Sequence, residues 1–200
     1  GVYELPPAHT LTWHDGRLTT RRYAAPRFRA RRGRSLGAWA EKIGQTLAES
    51  ADAHRIADVA VGCFLSGGVD SSLVTRETAR SQPNVQCFSV GYAEGSYSEL
   101  PAARAAARAL GVPLTETTVT AAEFFAANRA IQWYLDEPMP NPAEVPLYFL
   151  CKTARQRVKV VLSGEGADEL FGGYPLYRQA VWAERWQTLP RSCLLYTSDA

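Results

Sequence analysis

The sequence predicts an α/β fold, in which a parallel sheet carries helices on both faces and follows a short β-hairpin. Between residues 36 and 164, short apolar runs alternate with segments of helical periodicity, which is typical of parallel sheets. Glycine-rich loops follow two of the predicted strands. The 200 residues are 46% hydrophobic and 21% charged, as in a globular chain with one domain or slightly more.

The N-terminal part is predicted to be separate from this sheet. Residues 1–24 resemble a hairpin, because Asp15-Gly16 divides two alternating segments and both residues tolerate positive φ. Residues 25–35 are rich in arginine and poor in apolar residues, which indicates an exposed linker. A nucleic-acid contact is the alternative, but no aromatic or motif framework accompanies these arginines. We therefore expect no nucleic-acid partner.

The predicted elements of the main domain alternate regularly. Strands are predicted at residues 59–65, 85–92, 114–120 and 158–164, and helices at 36–47, 71–80, 98–111, 121–135 and 143–157. Pro101 in the first turn and Gly111 after the last residue mark the ends of one helix. The aromatic residues of 121–135 are interpreted as core. A proline-broken loop is predicted at 136–142.

Membrane and cysteine patterns narrow the location of the protein. No apolar run approaches the roughly 20 residues of a membrane helix, and residues 1–10 have no signal-peptide pattern. The four cysteines form no C-x-x-C pair and share no metal-ligand spacing with a histidine. Cys63 and Cys87 lie in strand-like runs, where a free thiol behaves as a small hydrophobe. We expect a reducing, cytoplasmic location, no membrane contact and no structural metal.

The first glycine-rich loop, SGGVDSS at residues 66–72, has the chemistry of an anion site. Gly67 and Gly68 allow backbone N–H groups to approach an anion, and the following helix presents its positive end. Hydroxyl donors are added by Ser66, Ser71 and Ser72. Asp70 fits if it binds Mg²⁺ that bridges to phosphate oxygens. Alternatively, Asp70 or Ser71 caps the helix and the loop binds nothing. The Walker A and Rossmann patterns do not occur here.

The second loop, SGEGADELFGGY at residues 163–174, also follows a predicted strand. It crowds three carboxylates, Glu165, Asp168 and Glu169, into a short stretch. Unpaired carboxylates repel one another, and a cation relieves that repulsion. One hard metal ion between Asp70 and Asp168 would explain both loops together. The alternative is that these acids cap a helix and face water.

These motifs resemble a known family. SGGVDS at 66–71 resembles the pyrophosphate-binding loop of the ATP pyrophosphatases, the PP-loop superfamily with the adenine nucleotide alpha hydrolase-like (HUP) fold. VVLSGEGADELFGGY at 160–174 resembles the synthetase domain of glutamine-hydrolysing asparagine synthetases, and 88–92 and 135–155 fit the same pattern. The resemblance covers residues 35–186. Residues 1–24 resemble the final hairpin of that family's N-terminal glutaminase domain.

The resemblance implies a reaction and a site. ATP and aspartate would form β-aspartyl-AMP and pyrophosphate, and glutamine-derived ammonia would then form asparagine. Loop 66–72 would hold the β,γ-phosphates, while Asp70 and Asp168 would bind Mg²⁺. Glu165 would be catalytic, deprotonating the ammonia or steadying the tetrahedral intermediate. Glu169 would support the site residues without contacting the substrate. Adenosine would be bordered by Leu65, Val90, Ser163 and Gly164.

Two alternatives stay open for the function. β-Lactam-forming synthetases resemble this chain but carry tyrosine where Glu165 stands, so glutamate favours asparagine synthesis. A related amidotransferase or β-lactam-type synthetase that adenylates another carboxylate is the first alternative. A non-catalytic nucleotide-binding regulator is the second, and the retained acidic residues argue against it.

The chain ends lead to an expectation about its extent. Gly1 stands at the start, whereas the family's glutaminase nucleophile is an N-terminal cysteine. Residues 193–200, CLLYTSDA, resemble a translated adapter of transposon-based sequencing libraries. We therefore expect the end of a glutaminase domain at 1–24, a linker at 25–35 and a partial synthetase domain at 36–192. Such a fragment is expected to be inactive, and the resemblance permits a homodimer of the full-length protein.

Overall fold

The structure is a computed structural model that describes residues 1–27, 29, 33–95, 98–135, 138 and 141–187. The chain divides into two compact units, Gly1–Glu41 and Lys42–Ala200. The expected adapter-like segment 193–200 lies outside the described residues, as do parts of the predicted linker and of the loop 136–142.

The first unit contains the predicted hairpin. Strands β1 (His9–His14) and β2 (Arg17–Arg22) pair antiparallel, with Trp13 opposite Leu18. The turn residues both have positive φ, 47° at Asp15 and 75° at Gly16. The prediction of a hairpin at Asp15-Gly16 is therefore confirmed.

The second unit contains the alternating elements, with helix α1 beginning in the first. The helices are α1 (Leu36–His54), α2 (Val69–Ser81), α3 (Leu100–Leu110), α4 (Ala121–Tyr134), α5 (Glu144–Ala154), α6 (Ala167–Phe171) and α7 (Pro175–Gln187). The strands are β3 (Val61–Phe64), β4 (Gln86–Tyr92), β5 (Leu114–Val119) and β6 (Val160–Leu162). Each predicted strand of this unit is present, and α3 ends at Gly111, whose φ of 67° suits a left-handed cap.

Strands β3 to β6 form one parallel sheet in the order β5-β4-β3-β6. Its two faces are both covered. Cys87 packs with residues of β3 and α3 in one buried cluster, whereas the next residue, Phe88, packs with Leu150 and Ala154 of α5 in another. Neighbouring residues of a strand point to opposite faces, so helices cover both sides of the sheet, as predicted.

Two sequence interpretations are corrected by the structure. Helix α2 begins at Val69, and its N-cap is Gly68, without a side-chain capping bond. Capping by Asp70 or Ser71 was therefore the wrong alternative. The aromatic residues of α4 do not all belong to the core, because Phe125, Trp133 and Tyr134 are exposed. The predicted helix is confirmed, but α4 buries only a narrow stripe around Ile131.

The thiols behave as expected for a structural core. Cys63 and Cys87 are buried and free, whereas Cys151 is free and exposed. Burial raises the pKa of the Cys63 thiol and raises that of Cys87 to about 12, so both stay neutral. Among the described helices, none has the length and apolar character needed to cross a bilayer.

Candidate functional site

A cleft of about 310 Å³ opens at the carboxyl ends of β3, β4 and β6. Strand β4 flanks β3 on one side and β6 flanks it on the other, so the sheet order reverses at β3. Ligands of open α/β sheets bind at such switch points. The fold thus places the two glycine-rich loops, which follow β3 and β6, at the expected binding position.

The first loop holds its shape through its own hydroxyl groups. The Ser71 hydroxyl donates to the Gly68 carbonyl at 3.2 Å and accepts from the Ser66 N–H at 3.3 Å. The Ser66 hydroxyl lies 3.0 Å from that of Ser71 and accepts from the Gly68 N–H at 3.3 Å. These bonds order the loop around the start of α2. The first N–H groups of α2 have no side-chain cap, so they are available to an anion.

Gly67 allows this loop to pack tightly on α3. Its φ is 86°, and a Cβ atom placed on it would lie 2.4 Å from the carbonyl carbon of Ala102. Any other residue would therefore be strained in backbone conformation and would overlap a backbone atom. Gly67 supports the loop from the side of α3 and does not line the cleft.

The second loop approaches the first without any intervening side chain. A Cβ atom on Gly164 would lie 2.9 Å from the Ser71 nitrogen and 3.0 Å from the Cβ atom of Asp70. Within the second loop, the Glu165 N–H donates to the Ser163 hydroxyl at 3.3 Å. Glycine at position 164 thus lets the loop after β6 reach the N-terminus of α2 and leaves space there for a ligand.

The acidic residues of the second loop act on the phenol of Tyr174, which one of them contacts. The Tyr174 hydroxyl donates to Glu169 Oε1 at 2.9 Å. This bond, partial burial and the charges of Glu169, Asp168 and Glu165 raise the pKa of Tyr174 to about 12. Within the part of the chain that the structure describes, no arginine or lysine pairs with Glu165 or Asp168. The described lining of the cleft therefore carries negative charge and includes no arginine or lysine.

Mg²⁺ fits this donor set in one particular way. Among the described residues, no group of three or more His, Cys, Asp or Glu side chains is arranged to hold a metal ion. Asp70 and Asp168 nevertheless line the same cleft, and neither has a cationic partner among the described residues. Mg²⁺ is commonly held by one or two carboxylates together with substrate phosphates. Asp70 and Asp168 would therefore hold Mg²⁺ together with phosphate oxygens of a bound ligand.

The cleft collects most of the residues predicted from the sequence. It is lined by Leu65, Ser66, Gly68, Asp70, Ser71, Val90, Ser163, Gly164, Glu165 and Asp168, and also by Glu169. Gly67 and Ser72 belong to the first loop but do not line the cleft. Their predicted contacts with phosphate stay predictions, as do the individual roles of the lining residues.

Several lining residues were not found from the sequence. Apolar wall positions come from Phe88 of β4 and from Leu147 and Leu150 of α5. Glu99 also lines the cleft, at the N-cap of α3, although no motif marks it. Tyr174 closes the motif SGEGADELFGGY, and this position in the motif was the available signal.

The cleft combines apolar walls, a glycine-serine loop at a helix N-terminus and unpaired carboxylates. This combination defines a class: α/β proteins that bind a phosphate-bearing ligand at the switch point of a parallel sheet. A family model for asparagine synthase matches residues 42–198. The chain belongs to the asparagine synthase family.

The chain is similar to named relatives over most of its length. A Mycobacterium bovis protein provisionally named a glutamine-hydrolysing asparagine synthetase is 44% identical over 172 residues, which are 85% of this chain and 26% of the relative. Asparagine synthetase 1 of Bacillus subtilis, also named as glutamine-hydrolysing, is 38% identical over 150 residues, 75% of this chain and 24% of the relative. The chain thus spans about a quarter of the length of these curated relatives.

A solved structure aligns with lower similarity. The glutamine-dependent NAD⁺ synthetase from Acinetobacter baumannii, in complex with ADP, has a TM-score of 0.47 and 20% identity. The alignment covers 72% of this chain and 29% of that chain.

Proposed function

We propose that the protein uses this cleft to adenylate the side-chain carboxylate of aspartate with ATP and to convert the product to asparagine with ammonia derived from glutamine. The observation that carries the proposal is the contact between the two loops. Gly164 reaches Ser71 and Asp70, so the phosphate-type loop and the acidic loop share one cleft. Family membership supports the same chemistry.

ATP would lie along the cleft with its base against apolar side chains and its phosphates at α2. Leu65, Val90 and the backbone at Ser163 and Gly164 offer the surface for adenosine. The backbone N–H groups at the start of α2 favour the β,γ-phosphates, because the positive end of a helix attracts anions. Gly67 and Ser72 would support this loop from outside the cleft.

Mg²⁺ would neutralise part of the phosphate charge when bound with ATP. Asp70 and Asp168 are the residues proposed to hold it. Their carboxylates line the cleft on the two loops that Gly164 brings together, and neither has a competing cation in the described part of the chain. Without the metal, these carboxylates would repel the phosphates.

The proposed reaction has two balanced steps. An oxygen of the aspartate side-chain carboxylate attacks the α-phosphorus of ATP, the bond to the β-phosphate oxygen breaks, and pyrophosphate leaves. Ammonia then attacks the carbonyl carbon of β-aspartyl-AMP, loses a proton, and AMP leaves with its oxygen. Glu165 is the proposed acceptor of that proton. It is exposed to the cleft and has no basic partner in the described residues.

The test is pyrophosphate release by the full-length protein with ATP and aspartate. We expect release that depends on aspartate, and asparagine formation when ammonia or glutamine is added. Glu165→Gln should abolish amide formation while retaining ATP binding. Glu94→Gln, which changes an exposed residue outside the cleft, is the matched control and should behave as wild type.

Two results would contradict the proposal. Release with another carboxylic acid but not with aspartate would favour a related amidotransferase or a β-lactam-type synthetase. ATP binding without release for any acid would favour a non-catalytic nucleotide-binding regulator.

A further inference from the structure

Tyr174 lines the cleft but takes no part in the proposed reaction. Its hydroxyl donates to Glu169 Oε1 at 2.9 Å, and its ring packs against that of Tyr177, with centroids 5.8 Å apart. Tyr174 lies immediately before α7 and Glu169 lies within α6. The hydrogen bond therefore joins these two helices across the turn that separates them.

The turn between α6 and α7 folds back onto α6 itself. Gly172 has a φ of 68°, and the Gly173 N–H donates to the Asp168 carbonyl at 3.0 Å. A Cβ atom on Gly173 would lie 1.8 Å from Asp168 Oδ1. The two glycines thus place the backbone directly against the Asp168 carboxylate, and Tyr174 follows at the next position.

Helix α6 is too short to hold its own carboxylates in place. It spans five residues, and an isolated helix of this length is unstable in water. It has no side-chain cap, since its N-cap is Gly166 with a φ of 88°. Residues outside α6 must therefore fix the direction of the acidic side chains around it.

We propose that Tyr174 is a positioning residue, which holds α6 through Glu169 so that Glu165 and Asp168 face the cleft. The proposal rests on the proposed function for the roles of Glu165 and Asp168. Tyr174 need not touch substrate, because it acts by keeping the turn between α6 and α7 ordered. Groups that hydrogen-bond to ligand-binding side chains and orient them commonly lower metal affinity or activity by about 10- to 100-fold when they are mutated.

The test compares four single variants and one double variant of the full-length protein. Tyr174→Phe and Glu169→Ala each remove the hydrogen bond, and we expect about a 10-fold lower kcat for pyrophosphate release with little change in KM for ATP. Glu169→Gln keeps an oxygen acceptor for the phenol and should retain most of the wild-type kcat. Tyr177→Phe removes the hydroxyl of the neighbouring ring and is the control. The double variant Tyr174→Phe/Glu169→Ala should be no slower than either single one.

A second measurement does not depend on the activity. Hydrogen exchange of residues 165–171, followed by mass spectrometry, should be faster in Tyr174→Phe than in wild type or Tyr177→Phe. Unchanged exchange would overturn the proposal, as would losses in kcat that multiply in the double variant. If the wild-type protein releases no pyrophosphate while the exchange difference is present, the proposed function fails and the positioning of α6 by Tyr174 stands.

Discussion

A Cβ atom on Gly164 would lie 2.9 Å from the backbone nitrogen of Ser71. The two residues belong to loops that follow different strands, β6 and β3, which are neighbours in the sheet. This distance is shorter than real Cβ contacts allow, so only glycine permits the approach as it stands. The contact joins the acidic loop to the N-terminus of α2, and both residues line the cleft.

Gly164→Ala should therefore weaken ATP binding. The added methyl group must push the second loop away from α2 or cover the N–H group of Ser71, and both changes disturb the proposed phosphate position. We expect a Kd for ATP about 10-fold higher, equivalent to ~1.4 kcal/mol, in calorimetry on the full-length protein. Gly44→Ala is the control, because Gly44 is helical with open space around its Cβ position. Equal affinities in both variants would contradict the role of this contact.

Ser71 and Ser72 offer a matched pair within one loop. The Ser71 hydroxyl bonds to Gly68 and Ser66, whereas the Ser72 hydroxyl has no bond in the described structure and does not line the cleft. Ser71→Ala should cost about 1 kcal/mol of loop stability and weaken ATP binding. Ser72→Ala should have a smaller effect on both. Thermal midpoints and calorimetric affinities measure the two effects, and a larger loss in Ser72→Ala would contradict the loop-ordering role of Ser71.

The sequence was sufficient to predict that the two glycine-rich loops lie together at one edge of the sheet. Strand and helix periodicity located the sheet, and parallel strands bring their carboxyl ends to one edge. The loops 66–72 and 163–174 could therefore be expected to meet, although residues far apart in the chain contribute them. Local rules were also sufficient for the hairpin at Asp15-Gly16 and for the end of α3 at Gly111.

Packing between helices and strands could not be predicted from the sequence in the same way. Periodicity shows that α4 is helical but not how much of its surface is covered, so Phe125 and Trp133 were wrongly assigned to the core. Glu99 lines the cleft, and Gly91 of β4 leaves room for its neighbour, Ser98. A Cβ atom on Gly91 would lie 2.3 Å from Ser98 Oγ. Such tertiary contacts have no signature in a single sequence.

Metal binding provides a test of the two aspartates. Asp70→Asn and Asp168→Asn should each lower the affinity for Mn²⁺ in the presence of ATP by about 10-fold or more, since each removes one charged oxygen ligand. Electron paramagnetic resonance of free Mn²⁺ measures this without requiring turnover. Asp58→Asn is the control, because Asp58 is exposed and precedes the amino end of β3, opposite the cleft. Wild-type Mn²⁺ affinity in both cleft variants would contradict the proposed metal site.

Glu77 on α2 provides a prediction about stability and pH. Its side chain is only 3% exposed and accepts hydrogen bonds from Arg76 Nε at 2.8 Å and Arg80 Nη1 at 3.1 Å. Burial disfavours the carboxylate, but the bonds and charges of the two arginines outweigh this effect and hold the pKa of Glu77 below its ordinary value of 4.5. The ionised carboxylate therefore stabilises the folded protein.

The sign of the pH dependence follows from this lowered pKa. Stability from Glu77 is fully present above pH 4.5, the ordinary value, and is lost as the pH falls through the lower folded value. Glu77→Gln should therefore cost about 2 kcal/mol near pH 7, and the difference from wild type should shrink below pH 4.5. Thermal midpoints of both full-length proteins across this range measure it.

A second ion pair is the control for Glu77. Glu116 bonds to Arg104 with both oxygens, but the two side chains are 30% and 49% exposed, so solvent screens the pair. Glu116→Gln should cost only about 0.5 kcal/mol at pH 7. Glu77 is buried, whereas Glu116 is partly exposed. An equal loss of stability in Glu77→Gln and Glu116→Gln would therefore mean that burial does not set the strength of the ion pairs of Glu77. A constant difference between Glu77→Gln and wild type down to pH 3 would contradict the lowered pKa itself.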